Sequence, residues 1–178
     1  ERVDHNTFEN CRNLLEITFP KSLKAIDPAW FYHCENLIMI NIDEDSPFMK
    51  SIDGVVYSKD GSMLLYYPRG KMPNTQGILH IPDHVTTINH YAFLHSSGIR
   101  KVVFPDSLKY INNHAFTNSL NLEEISLNDG LLYVMNKAFN ECQKLKEVAL
   151  PDSVVHIGNE CFYHNRNLTT FTISSSSS

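Results

Sequence analysis

The chain has 178 residues, of which 42% are hydrophobic, and a formal net charge of −5 at pH 7. This length is typical of a single domain, and basic side chains scattered along an acidic chain argue against nucleic acid or an anionic membrane surface as partner. No apolar run approaches the roughly 18 residues that a membrane-spanning helix needs, so we expect no membrane insertion by this segment.

One phenylalanine slot recurs along the chain with a long, regular spacing. Successive members are 23, 62, 23, 23 and 23 residues apart: Phe8, Phe31, Phe93, Phe116, Phe139 and Phe162. A β-branched apolar residue precedes each of them by five positions, and further apolar residues follow after six, nine and eleven. A period this long predicts a solenoid of stacked coils, because one coil is too small to bury its own apolar face.

The second half of each coil carries a strand signal. In the first coil Ile17 and Phe19 are expected to point inward, whereas Glu16 and Thr18 point outward, which is the period-2 alternation of a half-buried strand. Equivalent strands are predicted at 39–42, 78–81, 101–104, 124–127, 147–150 and 170–173, stacked as a parallel sheet. The segment that leads from each strand to the next phenylalanine predicts a turn, a 3₁₀ piece or a short second strand.

Proline follows most of these strands, at positions 20, 82, 105 and 151. It has no N–H to donate to a ladder, so it is expected where strand pairing stops. The 62-residue gap holds one repeat plus an insertion at about 43–81, in which apolar runs 55–57 and 63–67 flank Asp60-Gly61 and predict a β-hairpin. We expect the solenoid to span 1–173, followed by a serine-rich tail at 174–178 that is disordered or a linker.

The four cysteines do not form an evident disulfide framework. Cys11, Cys34 and Cys142 share the slot three residues after the phenylalanine, where serine or asparagine stands in other coils, and Cys161 directly precedes its phenylalanine. Exchange with small residues favours buried free thiols. A bond between Cys11 and Cys34 stays open, because adjacent coils lie within the span of a disulfide.

The repeat resembles the BspA-like class of leucine-rich repeats. The resemblance covers about residues 3–173. It is carried by Ile111-x3-Ala115-Phe116-x2-Ser119-x2-Leu122, by the corresponding run from Val134 to Leu145, and by Leu-Pro-Asp-Ser-Val at 150–154. The insertion is similar to a hairpin of this class, through Asp53-Gly-Val-Val-Tyr and Leu64-Leu-Tyr-Tyr-Pro68. The chain departs from the class at Asn128, where proline is usual, and at Trp30, where a small residue is usual.

The resemblance implies a mostly β, curved leucine-rich solenoid with an inserted hairpin, displayed outside the cell or on its surface. It also implies adhesion and protein binding, with a host or extracellular-matrix protein as the expected partner. The class supplies no catalytic residues, cofactor or metal ligands, so we expect no enzyme. A structural spacer without a specific ligand is the alternative, and an enzyme with its site on the insertion is a third, weaker hypothesis.

In such a solenoid the outward strand positions would line the concave side, the usual docking surface. These positions are the candidate protein-binding residues: Glu16, Thr18, Met39, Asn41, Ile78, His80, Lys101, Val103, Glu124, Ser126, Glu147, Ala149, Thr170 and Thr172. They mix polar, acidic and small apolar groups, which suits a protein partner.

Three further groups of side chains have both a functional and a structural interpretation. Aromatic residues of the insertion (Phe48, Tyr57, Tyr66 and Tyr67) either form a binding hot spot or pack across the hairpin, and packing is favoured. Asp83, Asp106, Asp129 and Asp152 either attract a cation or cap turns through backbone N–H groups, and capping is favoured. His33, His95 and His164 share one slot, and exposed polar residues are favoured over zinc ligands.

Overall fold

The computed structural model describes residues 3, 4 and 6–173. Within them the chain is a mostly β solenoid with one 3₁₀ helix, η1 at Pro28–Phe31. Its strands are β1 Glu16–Phe19, β2 Met39–Ile42, β3 Met49–Ile52, β4 Val55–Ser58, β5 Met63–Tyr66, β6 Ile78–His80, β7 Thr87–Ile88, β8 Lys101–Val103, β9 Tyr110–Ile111, β10 Glu124–Ser126, β11 Tyr133–Val134, β12 Glu147–Leu150, β13 His156–Ile157 and β14 Thr170–Ile173. The serine tail predicted at 174–178 lies outside the described residues.

Successive coils pair in parallel with a register equal to the sequence period. The longer strands pair β1 with β2, β6 with β8, β8 with β10, and β12 with β14. The two-residue strands β7, β9, β11 and β13 form a second parallel ladder. Glu124, for example, lies opposite Lys101, which is 23 residues earlier. The predicted solenoid and its long strands are confirmed. The segment before the phenylalanine, for which a turn, a 3₁₀ piece or a short strand was predicted, contains a short strand in four coils and a 3₁₀ turn in one.

The recurring phenylalanines form a column through the core. Phe93, Phe116 and Phe139 are fully buried, and neighbouring rings stack with centroids 4.5 Å apart between the first two and 5.1 Å apart between the last two. Two consecutive tyrosines continue the column through the insertion: Tyr66 lies 5.2 Å from the Phe31 ring, and Tyr67 lies 5.2 Å from Phe93. The insertion therefore takes the place of a coil in the aromatic column.

The insertion is an antiparallel meander that joins the ladder of short strands. β3 pairs with β4, β4 pairs with β5, and β5 then pairs in parallel with β7. The predicted hairpin of β4 and β5 is confirmed, whereas β3 was not predicted. Asp53 and Gly54 turn the chain between β3 and β4 with φ of 49° and 74°, as a tight hairpin turn requires. A side chain at Gly54 would place its Cβ 2.9 Å from the Met39 Cα.

The slot three residues after each phenylalanine holds a hydrogen-bond donor. In four coils its side chain donates to the phenylalanine carbonyl of the preceding coil, as Ser119 Oγ does to Phe93 O at 3.1 Å and Cys142 Sγ does to Phe116 O at 3.3 Å. Ser96, in the coil after the insertion, is buried without this bond. Asn165 Nδ2 makes the same bond to Phe139 O at 3.0 Å. Cysteine, serine and asparagine thus alternate in this slot because all three are small enough to be buried and able to donate.

Asn128 replaces the usual proline because the following turn lacks a hydroxyl. In the neighbouring coils a serine hydroxyl donates to a carbonyl of the preceding coil, as Ser153 Oγ does to Leu131 O at 2.6 Å. The equivalent position here is Gly130, which has no side chain to donate. Asn128 Nδ2 supplies the missing bond to Leu108 O at 3.1 Å. Asn128 and Gly130 therefore replace the proline and serine of the neighbouring coils as a pair, because the asparagine makes the bond that the glycine cannot.

Candidate protein-binding face

The outward side chains of the long strands define what we call the strand face. Its members are Glu16, Thr18, Met39, Asn41, Ile78, His80, Lys101, Val103, Glu124, Ser126, Glu147, Ala149, Thr170 and Thr172, and each is exposed or partly exposed. The intervening residues Ile40, Val102, Ile125 and Val148 are buried. The alternation expected from the sequence is therefore present, and these side chains are available for contact without disturbing the core.

Strand pairing divides this face into three patches. β1 and β2 form one, β6, β8 and β10 form the second, and β12 and β14 form the third. The insertion separates the first two patches, because it forms hydrogen bonds with the edge of β2. The Ile40 N–H donates to Gly54 O at 3.1 Å, and the Ile42 N–H donates to Ser51 Oγ at 3.0 Å. The single continuous parallel sheet expected from the spacing is therefore interrupted, and Asn41 and His80 lie in different patches.

Charges on the middle patch pair across coils. Lys101 bonds to Glu124. Arg100 bonds to Glu123 through two contacts, with Nε–Oε1 at 3.2 Å and Nη2–Oε2 at 3.1 Å. The hydrogen bond from Arg100 holds the pKa of Glu123 below its usual value. Such exposed pairs add little stability, but they fix the positions of charged groups on the surface.

The row of Arg100, Glu123 and Lys146 was missed by sequence reasoning. These residues precede the first outward position of their strands, and their 23-residue spacing with alternating charge is the signal that would have found them. Glu147, by contrast, has no ion pair within the described residues. The strand face therefore presents paired charges in its middle patch and an uncompensated carboxylate in the patch of β12 and β14.

Three of the four aromatic residues singled out in the insertion pack inward, as favoured. Tyr57, Tyr66 and Tyr67 are buried, whereas Phe48 is exposed. Burial is the main reason that the pKa of Tyr57 is raised to about 12, with the nearby Asp53 carboxylate as the second cause. These tyrosines are core residues, and Tyr66 and Tyr67 carry the aromatic column between coils.

The row of four aspartates does not cap turns as expected. Asp83, Asp106, Asp129 and Asp152 are exposed, and none of their carboxylates accepts a hydrogen bond from any described residue. The turns are closed instead by the backbone. The N–H three residues after the proline donates to the proline carbonyl, as Leu108 N–H does to Pro105 O at 3.1 Å. Across residues 3, 4 and 6–173, no group of three His, Cys, Asp or Glu side chains is placed to hold a metal ion.

The shared histidine slot has a backbone explanation. His33, His95 and His164 have φ of 62°, 58° and 58°, and Asn10 and Asn118 occupy the same slot with φ of 63° and 58°. Histidine and asparagine are among the residues that tolerate this left-handed conformation best. Burial, followed by the positive charge of Arg69, lowers the pKa of His95 to about 4.

All four cysteines are free thiols. Cys34, Cys142 and Cys161 are buried, as predicted, whereas Cys11 in the first coil is exposed. Cys34 Sγ donates to Phe8 O at 3.0 Å, the same bond that its slot makes elsewhere. The structure thus uses Cys34 as a hydrogen-bond donor rather than as half of a disulfide.

A family comparison identifies the repeat. The model of the BspA type leucine rich repeat region matches six copies over residues 1–61 and 74–178. The chain belongs to this family. The stretch between the matched ranges, 62–73, includes β5 of the insertion. No curated protein matches this BspA-type chain.

Solved structures of bacterial leucine-rich repeat proteins share the fold of this BspA-type chain. The pneumococcal vaccine antigen PcpA is 30% identical with a TM-score of 0.83 over 92% of this chain and 40% of its own. A leucine-rich cell surface protein of Faecalibacterium prausnitzii is 24% identical with a TM-score of 0.73 over 92% of this chain and 49% of its own. A leucine-rich repeat protein of Bacteroides capillosus is 25% identical with a TM-score of 0.63. It aligns with 71% of this chain and 99% of its own.

The chain spans less than half the length of the first two of these structures, 40% and 49%. It therefore corresponds to a part of each of these two proteins. Among the described residues, none of the helical segments has the length and apolar character to cross a bilayer.

Proposed function

We propose that this chain is a non-catalytic protein-binding module of a secreted or cell-surface leucine-rich repeat protein. Its partner, a host or extracellular-matrix protein, docks on the strand face. The observation that carries the proposal is the strand face itself. Fourteen side chains stand outward on hydrogen-bonded strands at fixed spacing, and none of them is needed to fill the core. A rigid, open array of this kind loses little side-chain and backbone freedom when a partner binds.

Membership of the repeat family supports a recognition role, because stacked coils present a broad, open surface for contact. The similarity to a vaccine antigen and to a cell surface protein supports display outside the cell. The chemical character of the middle patch, with Lys101 and Glu124 paired and Val103 and Ser126 beside them, suits a mixed polar and apolar protein surface.

Charge reversal tests this proposal. The immobilised chain is presented with a panel of purified serum and extracellular-matrix proteins in biolayer interferometry. The variant carrying Glu124→Lys and Glu147→Lys is compared with a matched control, Glu9→Lys and Glu35→Lys, which has the same net charge but changes exposed residues outside the strands. We expect the strand-face variant to lose at least about ten-fold in affinity, equal to about 1.4 kcal/mol, while the control binds like the original chain.

Thermal unfolding monitored by circular dichroism verifies that both variants stay folded. Equal losses in the two variants would show that net charge, not the strand face, governs binding. Retention of no panel protein would favour the spacer, in which the coils only separate other domains.

A further inference from the structure

A cleft of about 210 Å³ lies where the insertion meets the edge of β6. Val55, Leu64 and Leu79 give it apolar walls. An ion pair between Lys71 Nζ and Asp53 Oδ2, 3.2 Å apart, lies beside it, and the Asp53 side chain is 81% exposed. This volume is below the range of about 300–1,000 Å³ that drug-sized ligands occupy. The cleft is therefore suited to one large side chain rather than to a cofactor.

Tyr67 forms part of the cleft wall, and its buried hydroxyl has no hydrogen-bond partner among the described residues. Tyr67 is 2% exposed and its ring is held by stacking on Phe93, yet its Oη makes no hydrogen bond with any described residue. Burial raises the pKa of Tyr67, and the next causes are Asp53 and Tyr57, which also line the cleft. A buried donor without an acceptor is unfavourable, so a bound oxygen acceptor is the group that would complete this site.

One residue of β6 also leaves its backbone unpaired beside the cleft. Gly77 O accepts from Lys101 N–H at 3.1 Å and Ile81 N–H donates to Val103 O at 3.0 Å, so the odd-numbered residues face β8. In a parallel ladder the residues between them direct their N–H and C=O to the opposite side. Those residues are Ile78 and His80.

Ile78 and His80 differ in whether another residue forms hydrogen bonds with these backbone groups. Asn74 caps Ile78 at both groups, with Oδ1 accepting from its N–H at 3.0 Å and Nδ2 donating to its carbonyl at 2.9 Å. No described residue makes a hydrogen bond to the N–H or C=O of His80, and His80 lines the cleft. β2 differs again, because the insertion occupies its edge. The strand edge is thus open at one residue, next to an apolar cleft that Tyr67 helps to line.

We propose that this cleft anchors the protein partner through an extended segment that pairs with the backbone of His80. One large aliphatic or aromatic side chain of that segment fills the cleft and displaces its wall enough for an oxygen of the segment to accept a hydrogen bond from the Tyr67 hydroxyl. This inference rests on the proposed function and names the anchor of the same interaction. Strand addition supplies main-chain hydrogen bonds, and the neighbouring pocket supplies side-chain specificity.

The position and size of the cleft explain why such an anchor would select its partner. Asn74 occupies the backbone groups of Ile78, so a bound segment cannot extend its pairing from His80 towards the start of β6. The segment therefore forms few backbone hydrogen bonds, and its side chain in the cleft must supply much of the affinity. Anchors in small, desolvated pockets commonly dominate the energetics of protein interfaces. His80 is itself a member of the strand face, so the anchor lies at the border of the middle patch.

The test uses capped tripeptide probes and the full chain labelled with ¹⁵N. Acetyl-Thr-Leu-Thr-N-methylamide is titrated and compared with the glycine analogue acetyl-Thr-Gly-Thr-N-methylamide. We expect the leucine probe to shift the amide signals of His80 and Val55 saturably and to slow hydrogen exchange at the His80 amide. The glycine probe should bind at least about ten-fold more weakly, because it leaves the cleft empty.

Two variants separate the parts of the site. Tyr67→Phe removes only the hydroxyl and keeps the ring that stacks on Phe93, so the fold is retained and the affinity for the leucine probe should fall about five-fold. His80→Pro removes the N–H at a strand edge, where proline is tolerated, and should abolish the saturable shift of the Val55 amide. If His80→Pro fails to fold, the Tyr67→Phe titration still decides.

Either of two results overturns the anchor. One is a leucine probe that shifts no amide of β4, β5 or β6; the other is equal affinity for the leucine and glycine probes. Failure of the anchor is distinguishable from failure of the proposed function. A panel protein that binds the strand face equally well in the original chain and in Tyr67→Phe and His80→Pro would preserve the function and refute the anchor.

Discussion

Replacing the central ring of the aromatic column, Phe116→Ala, should strongly destabilise the chain. Phe116 is fully buried and lies between two nearly parallel rings, at 5° to Phe93 and 9° to Phe139. A buried Phe→Ala change costs about 3–5 kcal/mol. We expect the upper half of that range, because two aromatic pairs, each worth about 0.5–1.5 kcal/mol, are lost together.

Phe162→Ala is the matched control. Phe162 is only partly buried and has one stacked neighbour in the column, Phe139 at 5.5 Å. Since a solenoid is stabilised by contacts between neighbouring coils, the same substitution near the end of the stack should cost at most about half as much.

Urea unfolding followed by circular dichroism measures both effects. With an m-value of about 2 kcal/mol/M, a loss of about 4 kcal/mol moves the midpoint for Phe116→Ala by about 2 M. Equal midpoints for Phe116→Ala and the original chain would refute the stacked column. Equal losses for Phe116→Ala and Phe162→Ala would refute the nearest-neighbour reasoning.

Three further predictions follow from the local structure. Asn128→Ala should cost about 1–2 kcal/mol in urea unfolding because it leaves buried carbonyls without a donor, and combining Asn128→Pro with Gly130→Ser should restore most of that loss. His95 should make the chain less stable as pH falls from 6.5 towards 4, and His95→Gln should flatten that dependence. Cys11 should react with a thiol reagent in the folded chain, whereas Cys142 should react only after unfolding.

The physical reasons and the contradicting outcomes differ among the three. For His95, the folded pKa of about 4 lies below the unfolded value of about 6.5. Between pH 6.5 and 4, protons therefore bind preferentially to the unfolded chain, and acidification lowers the free energy of unfolding. An unchanged slope of this free energy against pH in His95→Gln would contradict the reasoning. For Cys142, burial raises the thiol pKa, and the thiolate is the reactive form, so rapid native labelling of more than one cysteine would contradict the burial. Additive effects at Asn128 and Gly130 would contradict their coupling.

The sequence predicted the stacking direction and the strands because both follow from periodicity. Spacing of 23 residues fixes which side chains lie above one another, and alternation around Ile17 and Phe19 fixes which face is buried. The donor role of the slot three residues after each phenylalanine was not predicted. Cysteine, serine and asparagine are all small and all able to form hydrogen bonds, so the sequence does not show which of these two properties the slot uses. The hydrogen bond from Ser119 Oγ to the Phe93 carbonyl shows that it uses the second.

The sequence by itself determined the solenoid, the register and the outward rows, because every one of these repeats with the coil. Tertiary structure alone decided how the insertion divides the strand face. The same insertion covers the edge of β2 with Gly54 and leaves His80 of β6 open, and this asymmetry depends on contacts between residues far apart in the chain. Such contacts occur once, have no period and leave no pattern in the sequence. The cleft at Tyr67 is of this kind, since its walls come from the insertion and from the following coil.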